Sequence, residues 1–106
     1  ELVLPFLRAR AGSTATVASV CTGAFLLGRA GLLDGRRATT HTGAIEALRR
    51  EFPGVEVVAE KVVDEGSVLT AAGVSSGIDL ALYLFERWFG PDARARAATG
   101  LDGPWR

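Results

Sequence analysis

"VASVCTGAFLLGRAGLLDG", residues 17–35, puts the chain's one cysteine where strand-forming residues give way to small ones and then to a helical pattern. The preceding run "TATVASV" is short and rich in β-branched residues, so a buried strand is expected with Cys21 at its carboxyl end. "TGAFLLGRAGLL" then follows helical spacing through Phe25, Leu26 and Leu33, is interrupted by Gly31 and closes at the Asp34–Gly35 turn. A thiol at such an elbow faces the first N–H groups of a helix, here those of Thr22, Gly23 and Ala24. Those donors stabilise negative charge on the sulfur, or on an oxyanion formed once it attacks. Gly23 and Ala24 keep bulk away from the thiol. The other reading of a lone cysteine is a small buried hydrophobe.

Working outward, "ELVLPFLRARAG" reads as a helix with Leu4, Leu7 and Ala11 on one face and Pro5 in its first turn. "RRATTH" reads as a second short strand ending at His41. "TGAIEALRREF" is amphipathic, with Ile45, Leu48 and Phe52 on the apolar side, and Pro53–Gly54 stops it. "VEVVAE" and "KVVDEGSVLTAAG" follow, the latter as two strand arms around Asp64, Glu65 and Gly66. A second strand–turn–helix junction comes in "VLTAAGVSSGIDLALYLFERWF", whose helix is apolar on nearly every side and therefore needs cover on two. The chain ends in a short helix and a Trp-bearing tail.

Strands alternating with helices indicate an α/β domain with a mainly parallel sheet, whose sites lie beyond the carboxyl ends of the strands. Cys21, His41 and the "GVSSG" turn are each expected at such an end. His41, the single histidine, either pairs with the thiol to activate it or hydrogen-bonds the start of the next helix. Thr22 either orients water or substrate or satisfies helix N–H groups. Ser76 and Asp79 have capping-box spacing, which makes Asp79 structural.

Composition narrows the classes further. Twelve basic and twelve acidic residues cancel over 106 positions, so nucleic acid is not an expected partner of this chain. No apolar stretch approaches the ~20 residues of a membrane span. One cysteine makes no intrachain disulfide and suits a reducing cytoplasm. One Cys and one His fall short of a zinc site, no phosphate-cradling glycine loop occurs, and no cofactor is expected. The chain has no methionine and begins with Glu1, which suggests a portion of a longer protein.

"SVCTGAFLLGRAGLLDGRRATTH", "LRREFPGVEVV" and "VDEGSVLTAAGVSSGIDLAL", in that order, resemble the isonitrile hydratase group. That group lies in the class I glutamine amidotransferase-like superfamily, in the branch with intracellular cysteine peptidases and Parkinsonism-associated deglycases. The resemblance covers the chain from about Phe6 onward. It implies a flavodoxin-like three-layer sandwich, of which residues 1–106 are the C-terminal portion of one domain. It further implies Cys21 on a nucleophile elbow, backbone donors at Thr22 and Gly23, Thr22 as a helper and a homodimer. The implied reaction adds water to a small-molecule isonitrile and gives an N-substituted formamide, a lyase activity. An acidic partner would come from a first strand–helix unit absent here, which must complete the fold. Relatives usually carry an aromatic residue after the histidine; this chain has Thr42. The same domain resembles the ligand-sensing half of arabinose-regulator-type transcription factors. Glyoxalase or deglycase chemistry at Cys21 is a further alternative. Peptidase action ranks lowest, because Thr22 stands where that branch has histidine.

Overall fold

In the computed structural model, residues 3–13 and 16–101 are described. The chain order is α1 (Val3–Ala11), β1 (Val17–Val20), a 3-10 turn (Cys21–Gly23), α2 (Ala24–Arg29), β2 (Arg37–Ala38), a second 3-10 turn (Thr42–Ala44), α3 (Ile45–Glu51), β3 (Glu56–Val57), β4 (Val62–Asp64), β5 (Val68–Ala71), α4 (Val74–Phe89) and α5 (Pro91–Thr99). Thr14, Ala15 and the Trp-bearing tail, all part of the expected elements, lie outside the described residues.

β5 is the middle strand. β1 runs parallel to it, with Val17 opposite Val68 and Val20 opposite Ala71. β4 runs antiparallel on the other side, with Val63 opposite Thr70. β2 and β3 form a separate parallel pair. Every residue of β5 is buried, and its alternation splits the core in two. Val68 joins a cluster with Ala24 and Leu27 of α2, Leu48 of α3, and Ala38 and Val57 of the two-stranded sheet. Leu69 and Ala71, pointing the other way, pack with Leu80 and Leu84 of α4. Helices therefore lie on both faces of the three-stranded sheet, a three-layer α/β arrangement.

Close packing also explains one small residue. A Cβ on Gly28 of α2 would stand 2.7 Å from two ring carbons of Phe52, so the helix reaches α3 only because that side chain is missing. α4 is covered by the sheet through Leu80 and Leu84, and α5 lies beside it, joined by Arg94 Nη1 donating to Glu86 Oε1 at 2.9 Å. Trp88 and Phe89 stay largely exposed.

Three expectations need correction. "RRATTH" is strand only at Arg37–Ala38, because the Thr39 N–H leaves the ladder and donates to the Thr70 hydroxyl at 2.9 Å. "VEVVAE" likewise pairs only over Glu56–Val57, limited by that short partner. No Ser76–Asp79 capping box forms. α4 begins three residues earlier, with Gly73 as its cap, so Ser76 sits inside the first turn and its N–H donates to the Gly73 carbonyl.

Candidate functional site

β1 ends at Val20 in ordinary extended geometry, φ −126° and ψ 140°, and the chain then turns sharply. Cys21 has φ 58°, the only positive φ on a non-glycine among the described residues. A left-handed backbone at an L-residue costs of order 1–3 kcal/mol and persists only where neighbours enforce it. One enforcing contact is explicit. The Thr40 hydroxyl donates to the Cys21 carbonyl at 2.7 Å, across 19 residues of sequence.

Cys21 is half-buried and its thiol has no hydrogen bond among the described residues. In the 3-10 turn it opens, the Thr22 N–H precedes the first i→i+3 hydrogen bond of the turn, which falls at Gly23. The Ala24 N–H, expected as a third donor, is instead directed to the Thr22 carbonyl. Thr22 is exposed, and its hydroxyl caps neither the turn nor α2.

His41 is exposed and caps the second 3-10 turn: its Nδ1 accepts from the Gly43 N–H at 3.1 Å. A neutral ring accepting at Nδ1 carries its proton on Nε2 and presents a donor there. His41 and Cys21 thus each follow the carboxyl end of a strand, β2 and β1, in different sheets, and no hydrogen bond joins them among the described residues.

Beside the elbow opens a cleft of about 380 Å³. It is lined by Thr39, Thr40, His41, Thr42 and Ile45, by Ala59, Glu60 and Lys61, and by Ala72, Gly73, Ser75 and Ser76. Val20 pairs with Ala71, so β1 and β5 leave the sheet at the same level; Cys21 itself does not line the cleft, which Thr40, its hydrogen-bond partner, does. Most of the residues on this rim are polar, which suits a small polar or polarisable ligand. Among the described residues no three His, Cys, Asp or Glu side chains gather as a metal site. No described helix is long and apolar enough to cross a membrane.

Sequence reasoning missed Thr40. The "TTH" stretch was visible, but the contact that matters joins two distant segments, and no local pattern signals it.

The elbow, the half-buried thiol and the adjoining cleft can be set beside known proteins. The DJ-1/PfpI family model matches residues 1–87. The chain belongs to the DJ-1/PfpI family. It is 42% identical to the isonitrile hydratase of Pseudomonas putida over 102 residues, 96% of this chain and 44% of that protein. It is also 42% identical to the HTH-type transcriptional regulator CdhR of Pseudomonas aeruginosa, over 72% of this chain and 23% of the regulator. The chain thus spans less than half the length of the curated relatives it matches. Among solved structures, a ThiJ/PfpI family protein from Pseudomonas syringae superposes with a TM-score of 0.77 at 30% identity, covering 95% of this chain and 43% of that one. The family's flavodoxin-like sandwich is therefore the fold of this chain.

Proposed function

We propose that the chain is the C-terminal portion of a cysteine-dependent hydratase domain that converts an isonitrile to an N-substituted formamide, with Cys21 as nucleophile. The observation that carries this reading is the positive φ at Cys21, strain held at the chain's one thiol. The 42% identity to an isonitrile hydratase across nearly the whole chain supports the substrate class.

The reaction proceeds in two balanced stages. The Cys21 sulfur adds to the terminal carbon of R–N≡C while that carbon takes a proton, giving the thioimidate R–N=CH–S–Cys21. Water then adds to the same carbon and its proton passes to nitrogen. The C–S bond breaks, giving R–NH–CHO and the free thiol. The Thr22 N–H would face charge developing at the elbow, and the Thr22 hydroxyl would orient water. His41, with a donor at Nε2, would serve the cleft as a hydrogen-bond donor rather than as base toward the thiol. The acid and the base for water would come from the strand–helix unit that completes the domain. The exposed Ala18 and Val20 of β1, which has no second partner strand among the described residues, suit such a neighbour. The working form would be a cytoplasmic homodimer.

A second reading is favoured by the regulator match: a ligand-sensing domain that keeps the elbow without turnover. The two separate in one assay. Full-length protein, wild type and Cys21→Ala, is incubated with a simple alkyl isonitrile and formamide is followed by mass spectrometry. Formamide from wild type, lowered by at least about a thousandfold in Cys21→Ala, is the expected result. No formamide from wild type, with saturable isonitrile binding that shifts thermal stability, favours the sensor.

A further inference from the structure

We infer that Thr40 is a positioning residue for the nucleophile: its hydroxyl holds the Cys21 carbonyl and so keeps the thiol in its strained, attack-ready orientation. This inference rests on the reading of Cys21 as nucleophile given above.

Thr40 is itself firmly held. Its neighbour Thr39 donates its N–H to Thr70 Oγ1 of the central strand at 2.9 Å. On the other side His41 is pinned twice, its Nδ1 accepting from Gly43 and its carbonyl accepting from the Ala44 N–H at 2.8 Å. Residues 39–41 thus form a short strut fixed to the sheet at one end and to the α3 entrance at the other. Thr40, fully buried at its centre, spends its hydroxyl on one acceptor, the Cys21 carbonyl. A left-handed φ rotates that carbonyl out of the line β1 would otherwise take, and the strut stands where the rotated carbonyl needs a donor. Removing the donor takes away this cross-chain hydrogen bond and frees the elbow to relax toward an extended φ, which swings Cβ and Sγ with it.

Thr40 touches no reacting atom, so the test must separate positioning from folding. In the full-length protein, Thr40→Ser and Thr40→Ala both lose the methyl group and differ only in the hydroxyl. Two quantities are read for each: the second-order rate of Cys21 alkylation by iodoacetamide between about pH 6 and 9, spanning the usual thiol range, and kcat and KM for alkyl isonitrile hydration. Thr40→Ala is expected to lose about tenfold in alkylation rate and in kcat, with KM within about twofold, while Thr40→Ser stays near wild type. Alkylation needs no isonitrile, so it decides this point even where the hydratase reading fails. Equal rates for folded Thr40→Ser and Thr40→Ala overturn the inference. If Thr40→Ala does not fold, Thr40→Val keeps the volume without the donor and takes its place. A left-handed Cys21 retained in a crystal structure of the hydroxyl-free variant overturns it as well.

Discussion

The molecule makes the same turn twice. β1 passes into α2 through Cys21, and the parallel β5 passes into α4 through Gly73. The first turn holds an L-residue at φ 58°, while the second sets a glycine at φ −86° and ψ −172°, which any residue can adopt. Strain and glycine have thus been placed opposite to what backbone ease alone would choose. A strand–helix junction in this fold does not need a left-handed residue, as the one at Gly73 shows, so the strain at Cys21 is not imposed by the architecture alone.

The largest structural effect expected concerns how each helix seats after its turn. Gly28 of α2 faces the Phe52 ring at 2.7 Å from a notional Cβ, whereas Gly77 of α4 faces Val20 Cγ1 at 3.3 Å. Gly28→Ala therefore forces an overlap costing roughly 1–3 kcal/mol, offset by about 0.5–1 kcal/mol of improved helix propensity. Net destabilisation of about 1–2 kcal/mol is expected by urea melting. Adding Phe52→Leu should recover part of it, since the clash is with a side chain. Gly77→Ala should sit closer to wild type, and a larger loss there than at Gly28 would reverse the comparison.

Swapping the residues at the turns themselves gives a smaller effect. Cys21→Gly removes the left-handed penalty and should be about 1 kcal/mol more stable than Cys21→Ala, although both abolish a cysteine-dependent activity. Gly73→Ala should stay within about 0.5 kcal/mol of wild type, because its ordinary φ favours alanine through the unfolded state while the N-cap position favours glycine. Its new Cβ would meet His41 Cδ2 at a comfortable 3.9 Å. Glycine is thus the better residue at the first turn and has no such advantage at the second, and thermal melts of the three variants check this. If glycine proves the poorer residue at position 21, the elbow is not strained.

How much of the molecule is legible in its sequence follows the range of the interactions. The α/β alternation, the hairpin around Gly66 and Cys21 at a strand end are written in neighbouring residues, through β-branched runs, turn glycines and helical spacing. The length of β2 is not, because Thr39 turns from the ladder to a hydroxyl 31 residues away. The start of α4 is misplaced because Ser76 and Asp79 have a cap's spacing, while the real cap at Gly73 uses no side chain and leaves no mark. In the site, the turn at Cys21 is legible from its small neighbours. Its left-handed φ and the Thr40 strut that holds it are not.

The second junction is braced too, but at its far end and by charge. The hairpin turn leading into β5 is held against α4 by Tyr83, whose hydroxyl donates to Asp64 Oδ2, and by Arg87, which donates to the Gly66 carbonyl at 2.8 Å. The Tyr83 hydrogen bond is the main influence holding the Asp64 carboxyl below its ordinary 3.8; burial opposes it, and the Gly66 N–H, Arg87 and Arg37 add to it. A lowered carboxyl stabilises the fold above pH 3.8, and that contribution is lost as pH falls through the lowered native value. Tyr83 is shifted the other way, above 10.0, chiefly because its proton is held by Asp64. Its contribution is present below pH 10.0 and is lost as pH rises through the raised native value. Both groups are partly exposed, so the effect is smaller than those expected at the helix seats and the turns. Wild type should exceed Tyr83→Phe in urea stability near neutral pH, with the gap closing below pH 3.8 and again above pH 10.0. A gap constant across that range would mean that the tyrosine braces the turn by packing alone. The two junctions would then differ only in their backbone, and not also in what holds them.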